Sequence, residues 1–252
     1  TGEIDVFENL YTKDQAAQNA GVLLMSGVGF DVVPSDCLAL YLKEKLPDAT
    51  LLEMTLLQKG GSLSHGTAIT VAENVGEKTM IRRNGKIDRV LNGTLTKQIP
   101  FPDKIREAVA ISWGDVASAF RSTNIPNITI YNALPKKLID GMKWGNYISF
   151  ILRSRFVKNL IIKQIKKRPA GPNEEIRKNA SSAIYGEVKN AVGITKCALL
   201  ELPEGYLLTA FTALKIAQQV LENAPAIGAK TPAQVFGSDF ILQFDKVKRT
   251  DL

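Results

Sequence analysis

A short apolar run, Val22 to Met25, leads straight into "SGVGFDVVPSD", Ser26 to Asp36. This junction constrains the fold more than any other part of the chain. A continuous apolar run of this kind suits a parallel strand covered on both faces. Such a strand needs neighbours, and the residues before it supply none. "TKDQAAQNAG" reads as a helix, with Thr12 and Gln15 spaced for a capping box and Gly21 placed for a left-handed C-terminal residue. No G-x-G-x-x-G occurs there. Residues 1–34 are therefore expected to be the last βα unit of a nucleotide-binding sheet. Gly27 and Gly29 would let the backbone turn or approach a ligand. Pro34 presets the exit, and Ser35 or Asp36 caps the next helix.

Beyond Asp36 the pattern changes. Leu38, Leu42 and Leu46 mark one face of a helix. The runs "ATLLEMTLLQ", "HGTAITVAE", "KTMIRRNGKIDRVL", "AVAISW" and "NITIYNAL" then read as strands, and Asn84–Gly85 signals a tight hairpin turn. Strand runs without helices between them imply an antiparallel arrangement. The expected class is α+β, with residues 35–252 forming a mixed, largely antiparallel sheet with helices on one face. Helix returns from Leu138 to Lys167, and a strand pair follows near Asn190–Gly193. A strong helix spans 205–223, with Leu207, Ala210, Phe211, Leu214, Ala217 and Leu221 on one face. "TPAQVFG" adds a short turn before a last strand, "FILQF". In "LLEMTLL", Leu51 to Leu57, apolar residues point both ways, where a solvated sheet face would alternate. That pattern suggests a homodimer built on the sheet.

The chain has 252 residues, 45% of them hydrophobic, enough for a sizeable core. Cys37 and Cys197 form no metal or redox motif, and their scarcity fits a reducing compartment such as the cytoplasm. No apolar run reaches the roughly 18 residues of a membrane span. The chain starts at Thr1 rather than Met, which suggests a piece of something longer. Of the net charge of +7, the eight basic residues of Lys143 to Arg168 account for all of it, because no acid lies between Gly141 and Arg168. That run suits a membrane surface, a nucleic acid, an acidic partner or a solvated helix face. Read as one helix, its apolar arc of Leu152, Phe156, Leu160 and Ile161 is interrupted by Arg153 and Lys163. A solvated face is therefore favoured over peripheral membrane contact through 143–168. No zinc spacing, P-loop or nucleic-acid motif is present.

Several residues are candidates for a site. Asp31 follows the carboxyl end of a parallel strand, where open α/β sheets bind ligands. It would hold a cofactor or substrate group, or act as a hinge that accepts backbone amides. His65 is the one histidine and so the ordinary near-neutral acid or base, set against a purely structural role. Trp113 and Asp115 either line a pocket or form a turn with a packed indole. Ser122, Thr123 and Asn127 either contact substrate or order the "IPN" turn.

"TGE" at Thr1–Glu3, "GVGFDVVPSD", "HGTA" at His65–Ala68, "SWGDV" at Ser112–Val116, "STNIPNITIY" at Ser122–Tyr131, "RPAGPNEE" at Arg168–Glu175 and "GYLLTAFTALKIA…TPAQVFGSDF" at Gly205–Phe240 occur in this order. Together they resemble the saccharopine dehydrogenase-like oxidoreductases, in the bacterial branch that includes the trans-acting enoyl reductases. The sequence departs from that pattern at His65, where a basic residue is more often arginine, and at "STN" in place of "STG". The resemblance implies a Rossmann domain binding NAD or NADP, of which this chain holds only the final part. An α+β domain for substrate binding and dimerisation would follow. Cofactor contacts would fall on Thr1, Gly2, Glu3, Gly27, Gly29, Phe30 and Asp31, catalysis on Asp31 and His65, and substrate contacts on Trp113, Asp115, Ser122, Thr123 and Asn127. The helix 205–223 would pack back toward the nucleotide domain. Alone, the chain would bind neither dinucleotide and would not turn over. The alternative is a non-catalytic, membrane-associated or scaffold homodimer of the same fold.

Overall fold

The computed structural model describes residues 2–223 and 226–252. In chain order its first elements are α1 (Ile4–Tyr11), α2 (Asp14–Asn19), β1 (Leu23–Leu24), α3 (Val33–Lys45), β2 (Ala49–Lys59) and α4 (His65–Glu73). Next come β3 (Thr79–Arg83), β4 (Lys86–Val90), β5 (Thr96–Pro100), β6 (Ile105–Ala110), α5 (Asp115–Thr123) and β7 (Asn127–Ala133). Three helices follow, α6 (Lys136–Gly145), α7 (Ser149–Leu152) and α8 (Arg155–Ile165), then α9 (Glu174–Asn179). The chain continues with β8 (Ser181–Asn190), β9 (Thr195–Leu202), α10 (Gly205–Glu222), β10 (Gly228–Ala229), α11 (Pro232–Phe236) and β11 (Lys248–Asp251).

The main sheet has nine strands in the order β11-β9-β8-β2-β7-β3-β4, with β6 also pairing β7 and β5 pairing β6. Only β2 and β7 run parallel in it; the other pairings are antiparallel. The fold is thus a mixed, largely antiparallel sheet with helices packed on it. Helices α3 and α5 lie against one face. Leu38 and Leu42 of α3 meet Leu52, Met54 and Leu56 of β2 and Ile184 of β8 in one buried cluster. A Cβ at Gly186 would stand 2.7 Å from the Leu42 side chain, so glycine there lets the helix lie close to the strand.

The β5–β6 hairpin folds over the opposite face. Ile99, Phe101, Ala108 and Ala110 cover Leu57, Tyr131, Tyr185 and Leu199. The two-sided apolarity of Leu51–Leu57 therefore has an explanation within one chain. Beside this second cluster Lys97 bridges Glu53 at 2.7 Å and Glu187 at 2.9 Å. Partial burial works against its charge, but the two carboxylates outweigh that and raise its pKa.

Several local expectations are corrected. "HGTAITVAE" is the helix α4, not a strand, because the Ser64 hydroxyl accepts the Thr67 amide at 3.2 Å and caps it. "FILQF" is not the last strand but a 3₁₀ turn over Phe240–Gln243, where the Phe240 ring stacks on Phe236 and meets Phe244 edge-on. The last strand is the polar β11, which lies on the sheet edge, where apolar alternation is not required. Thr12 and Gln15 make no capping box. Thr12 instead donates to the Asn9 carbonyl and closes α1, while a full box forms at Thr231 and Gln234. The helix expected over 138–167 is three helices. In α10 the buried side chains are Leu208, Thr212 and Ile216, so the stripe Leu207, Phe211, Leu214 and Leu221 is exposed.

Strand β1 is only two residues long and pairs in parallel with β10, Leu23 opposite Gly228. The first residues thus complete their strand pairing with a late segment rather than with an immediate neighbour. They are also anchored to the main sheet by Arg82, which is buried. It donates to the carbonyls of Val116 and Gly85, both at 2.8 Å, pairs with Glu8 of α1 and stacks over the Phe120 ring.

Candidate functional site

Two adjoining hollows of about 320 and 190 Å³ share Phe30, Asp31 and Thr209. Together they form a cleft between the loop after β1, the carboxyl end of β2, the start of β8 and the first turns of α10. The register of β2 with β8 sets Gln58 opposite Ser182 and Lys59 opposite Ser181 at one wall. Trp113, Leu63 and Tyr206 supply apolar surface.

The loop Ser26–Asp31 is held from two sides. On the α10 side, the Phe30 amide donates to Thr209 Oγ1 at 3.0 Å, and Thr212 Oγ1 donates to the Val28 carbonyl at 2.9 Å. Trp113 Nε1 donates to the Asp31 carbonyl at 2.9 Å from the other side. The two glycines answer to packing. Gly27 has φ +71°, and a Cβ there would meet Val32 at 2.7 Å and Phe7 at 2.9 Å. A Cβ on Gly29 would meet Thr209 Cγ2 at 2.7 Å. Gly2 lies against the Asp31 side chain, Glu3 precedes α1 with no side-chain cap, and Thr1 lies outside the described residues.

Asp31 keeps solvent access, yet the protein packed around it pushes its carboxyl above the usual range. It is the carboxyl that faces both hollows. The neighbouring wall is tied down by Tyr206, whose hydroxyl accepts the Ser64 amide at 2.7 Å and pairs with Thr67 Oγ1 at 3.1 Å. Glu204 is buried and spent as the N-cap of α10, accepting the Leu207 amide at 2.8 Å.

Of the residues singled out from sequence, Phe30, Asp31 and Trp113 meet in this cleft, with Gly27 and Gly29 in its floor. His65 starts α4 behind the rim. Its Nε2 is 2.8 Å from the Arg168 carbonyl, and its amide donates to the Ala170 carbonyl at 2.8 Å. Asp115, Ser122, Thr123 and Asn127 do not join them. Ser122 donates to Asp36 and to the Ser118 carbonyl. Thr123 is buried and donates to the Ala119 carbonyl at 2.6 Å. Asn127 bridges the Thr50 carbonyl and the Asn84 amide.

Asp115 and Asp36 are both wholly buried. Asp36 accepts from Ser122 and from the Ala233 amide at 2.9 Å, while Ser122 and Thr231 hydroxyls lie 2.7 Å apart. This knot joins α3, α5 and α11. Burial lifts the Asp36 carboxyl to about 6 against these hydrogen bonds. Burial also raises Asp115 well above the carboxylate range, and one of its oxygens has no partner among the described residues. A proton on Asp115 relieves both. The residues that sequence reading missed are Thr209, Thr67, Tyr206 and Lys59. The polar pair Thr209 and Thr212 inside the mostly apolar first half of α10 was the available signal.

No protein-family model matches the chain, and no curated protein matches it. Among solved structures it is similar to apo histidine-tagged saccharopine dehydrogenase (L-Glu forming) from Saccharomyces cerevisiae. The TM-score is 0.56 at 10% identity, over 96% of this chain and 76% of that one. The likeness is one of fold: a saccharopine dehydrogenase-like architecture. Among the described residues there is no cluster of His, Cys, Asp and Glu able to hold a metal ion, and no helix is long and apolar enough to cross a membrane. Gly27 and Gly29 line the first hollow, and a Cβ on either would meet a neighbouring side chain at 2.7 Å.

Proposed function

We propose that this chain is the substrate-binding part of a nicotinamide-dependent oxidoreductase acting on a small molecule or acyl group. The observation that carries the reading is the position of the Asp31 cleft. It opens at the carboxyl end of β1, a strand in a parallel pair, where α/β folds place their ligands. The fold likeness points the same way. Val22 and Ile227 are exposed beside the β1–β10 pair, and the stripe Leu207–Leu221 of α10 is exposed nearby, which suits a nucleotide-binding domain packing there. Hydride transfer would belong to a nicotinamide held outside these residues, with NAD or NADP equally compatible. The chain's own part is to bind and orient substrate. Asp31, with its raised carboxyl, is placed to hold a proton at the cleft, and Lys59, Ser181 and Ser182 to meet polar substrate atoms. Self-association of the chain belongs to the same reading and would appear in light scattering.

The test uses the full gene product. Titration with NADH and NADPH should give saturable binding, and the 252-residue chain alone should give none. Asp31→Asn should lower turnover and leave the dinucleotide affinity intact. Unchanged turnover would reduce Asp31 to a hinge, and absence of binding to either dinucleotide by the full product would overturn the reading.

A further inference from the structure

We infer that the module α6–α8 docks on an anionic phospholipid bilayer. Its outward surface combines two features that occur together nowhere else among the described residues. The first is aromatic exposure. Trp144, Tyr147, Phe150 and Phe156 are 72, 79, 74 and 72% exposed, and no other described aromatic side chain reaches that level. The rings of Trp144 and Tyr147 lie 5.7 Å apart, and Ile148 and Ile151 stand open beside them. The second is uncompensated positive charge. Glu77 pairs with Arg153 and Lys158 at 3.3 and 3.4 Å. Lys143, Arg155, Lys163, Lys166, Lys167 and Arg168 have no acidic partner among the described residues.

The three-helix arrangement takes Arg153 off the helix that carries Phe156 and Leu160, while Lys163 stays on it. Arg153 falls between α7 and α8, where Ser154 caps α8 by accepting the Val157 amide at 3.3 Å. Arg153 stays partly exposed but is tied to the Gly76 carbonyl at 2.9 Å and to Glu77 at 3.3 Å. From α8 into the turn that follows it, Phe156, Leu160, Lys163 and Lys167 lie at helical spacing and are exposed, while Ile165 is buried. Phe and Leu at one end of a stripe and lysines at the other suit an interface. Rings enter the headgroup boundary, and lysine stems lie along it with their ammonium groups on lipid phosphate. The α10 stripe is apolar, but that helix carries one cation, Lys215, against one anion, Glu222, so it lacks the charge for this partner.

The module is also joined to the cleft. Through the Arg168 and Ala170 carbonyls, the segment after α8 holds His65, next to the rim residues Leu63 and Thr67. Docking would therefore set the rim close to the bilayer. The inference stands on this surface alone and survives any change in the chemistry assigned to the cleft.

Vesicle co-sedimentation of the protein tests it. Vesicles of phosphatidylcholine with about one-third phosphatidylglycerol should bind at least about tenfold better than phosphatidylcholine alone, and about 0.5 M salt should release most of the protein. Phe150→Ser with Phe156→Ser, and separately Lys163→Glu with Lys167→Glu, should each lower binding on the order of tenfold without moving the thermal midpoint. In a Trp113→Phe background, Trp144 emission should shift to the blue on anionic vesicles. Equal binding to both vesicles, no binding to either, or undiminished binding of both variant pairs would overturn the inference. So would unchanged Trp144 emission, or loss of binding in Leu214→Ser with Leu221→Ser, which would place the contact on α10. Binding of a single-stranded oligonucleotide as tight as that of vesicles, and indifferent to the aromatic variants, would make the surface a nucleic-acid site instead.

Discussion

The Trp113 indole N–H donates to the main-chain carbonyl of Asp31 at 2.9 Å, so the residue that walls the cleft also fixes the loop that carries its carboxyl. Trp113→Phe keeps most of the ring packing and removes the hydrogen bond. It should cost about 1 kcal/mol of stability, read from the urea midpoint. Amide exchange at Phe30 should quicken as the loop loosens. If neither changes, the bond does not hold the loop.

The Asp36 knot gives the stability a pH dependence. Its carboxyl is near 6 in the fold against an ordinary value of 3.8, so between these values the folded state binds the extra proton. Stability from this group is therefore fully present below about 3.8 and is lost as pH rises through 6, a difference of up to about 3 kcal/mol. Asp115 is raised too and has the same sign. Asp14, held near 2 by Arg121, opposes them only in more acid solution. Thermal midpoints should rise from pH 7 to pH 5. Asp36→Asn should remove part of that slope, and adding Asp115→Asn should remove more, leaving the share of the raised Asp31. A midpoint that falls over the same range would refute the assignment.

Gly29→Ala should separate α10 from the cleft loop, because the new methyl would stand 2.7 Å from Thr209 Cγ2. Overpacking of this kind costs about 1–3 kcal/mol. Pairing it with Thr209→Ser, which removes that methyl and keeps the hydroxyl, should restore most of the loss. Failure of the double variant to recover would mean that the strain lies elsewhere.

Lys97→Met would leave Glu53 and Glu187 facing each other without their shared cation. The expected loss is about 1–3 kcal/mol at neutral pH. The triple variant with Glu53→Gln and Glu187→Gln should recover part of it. A single variant as stable as the parent protein would reduce this bridge to a surface pair.

The elements legible in the sequence were those with strong local signals. Asn84–Gly85 marked the β3–β4 hairpin, and the apolar runs at Ala49–Lys59 and Asn127–Ala133 marked central strands. Where side chains serve long-range partners, local patterning misled. Leu207, Phe211 and Leu214 form the better-looking helical stripe, but α10 buries Leu208, Thr212 and Ile216, because Thr212 reaches the Val28 carbonyl. In "HGTAITVAE" the same small and branched residues suit a strand or a helix, and the Ser64 cap decided between them. The cleft was half visible: Asp31 and Trp113 lie beside turn signals, whereas Tyr206 and Thr209 sit inside a helical run that gives no reason to suspect a wall. Ser122 and Asp36 looked like separate polar residues, because only the fold brings their side chains together.

The pairing of β1 with β10 also sets a timetable. Leu23 and its partner Gly228 are about two hundred residues apart, and ribosomes add about 5–20 residues each second. For on the order of 10–40 s after β1 emerges, its partner does not yet exist, and the loop bearing Asp31 has no α10 to hold it. Most of the large sheet can assemble in that interval. The cleft is therefore a late feature of a nascent molecule, and chaperones would meet it open, with Phe30 uncovered, until α10 emerges.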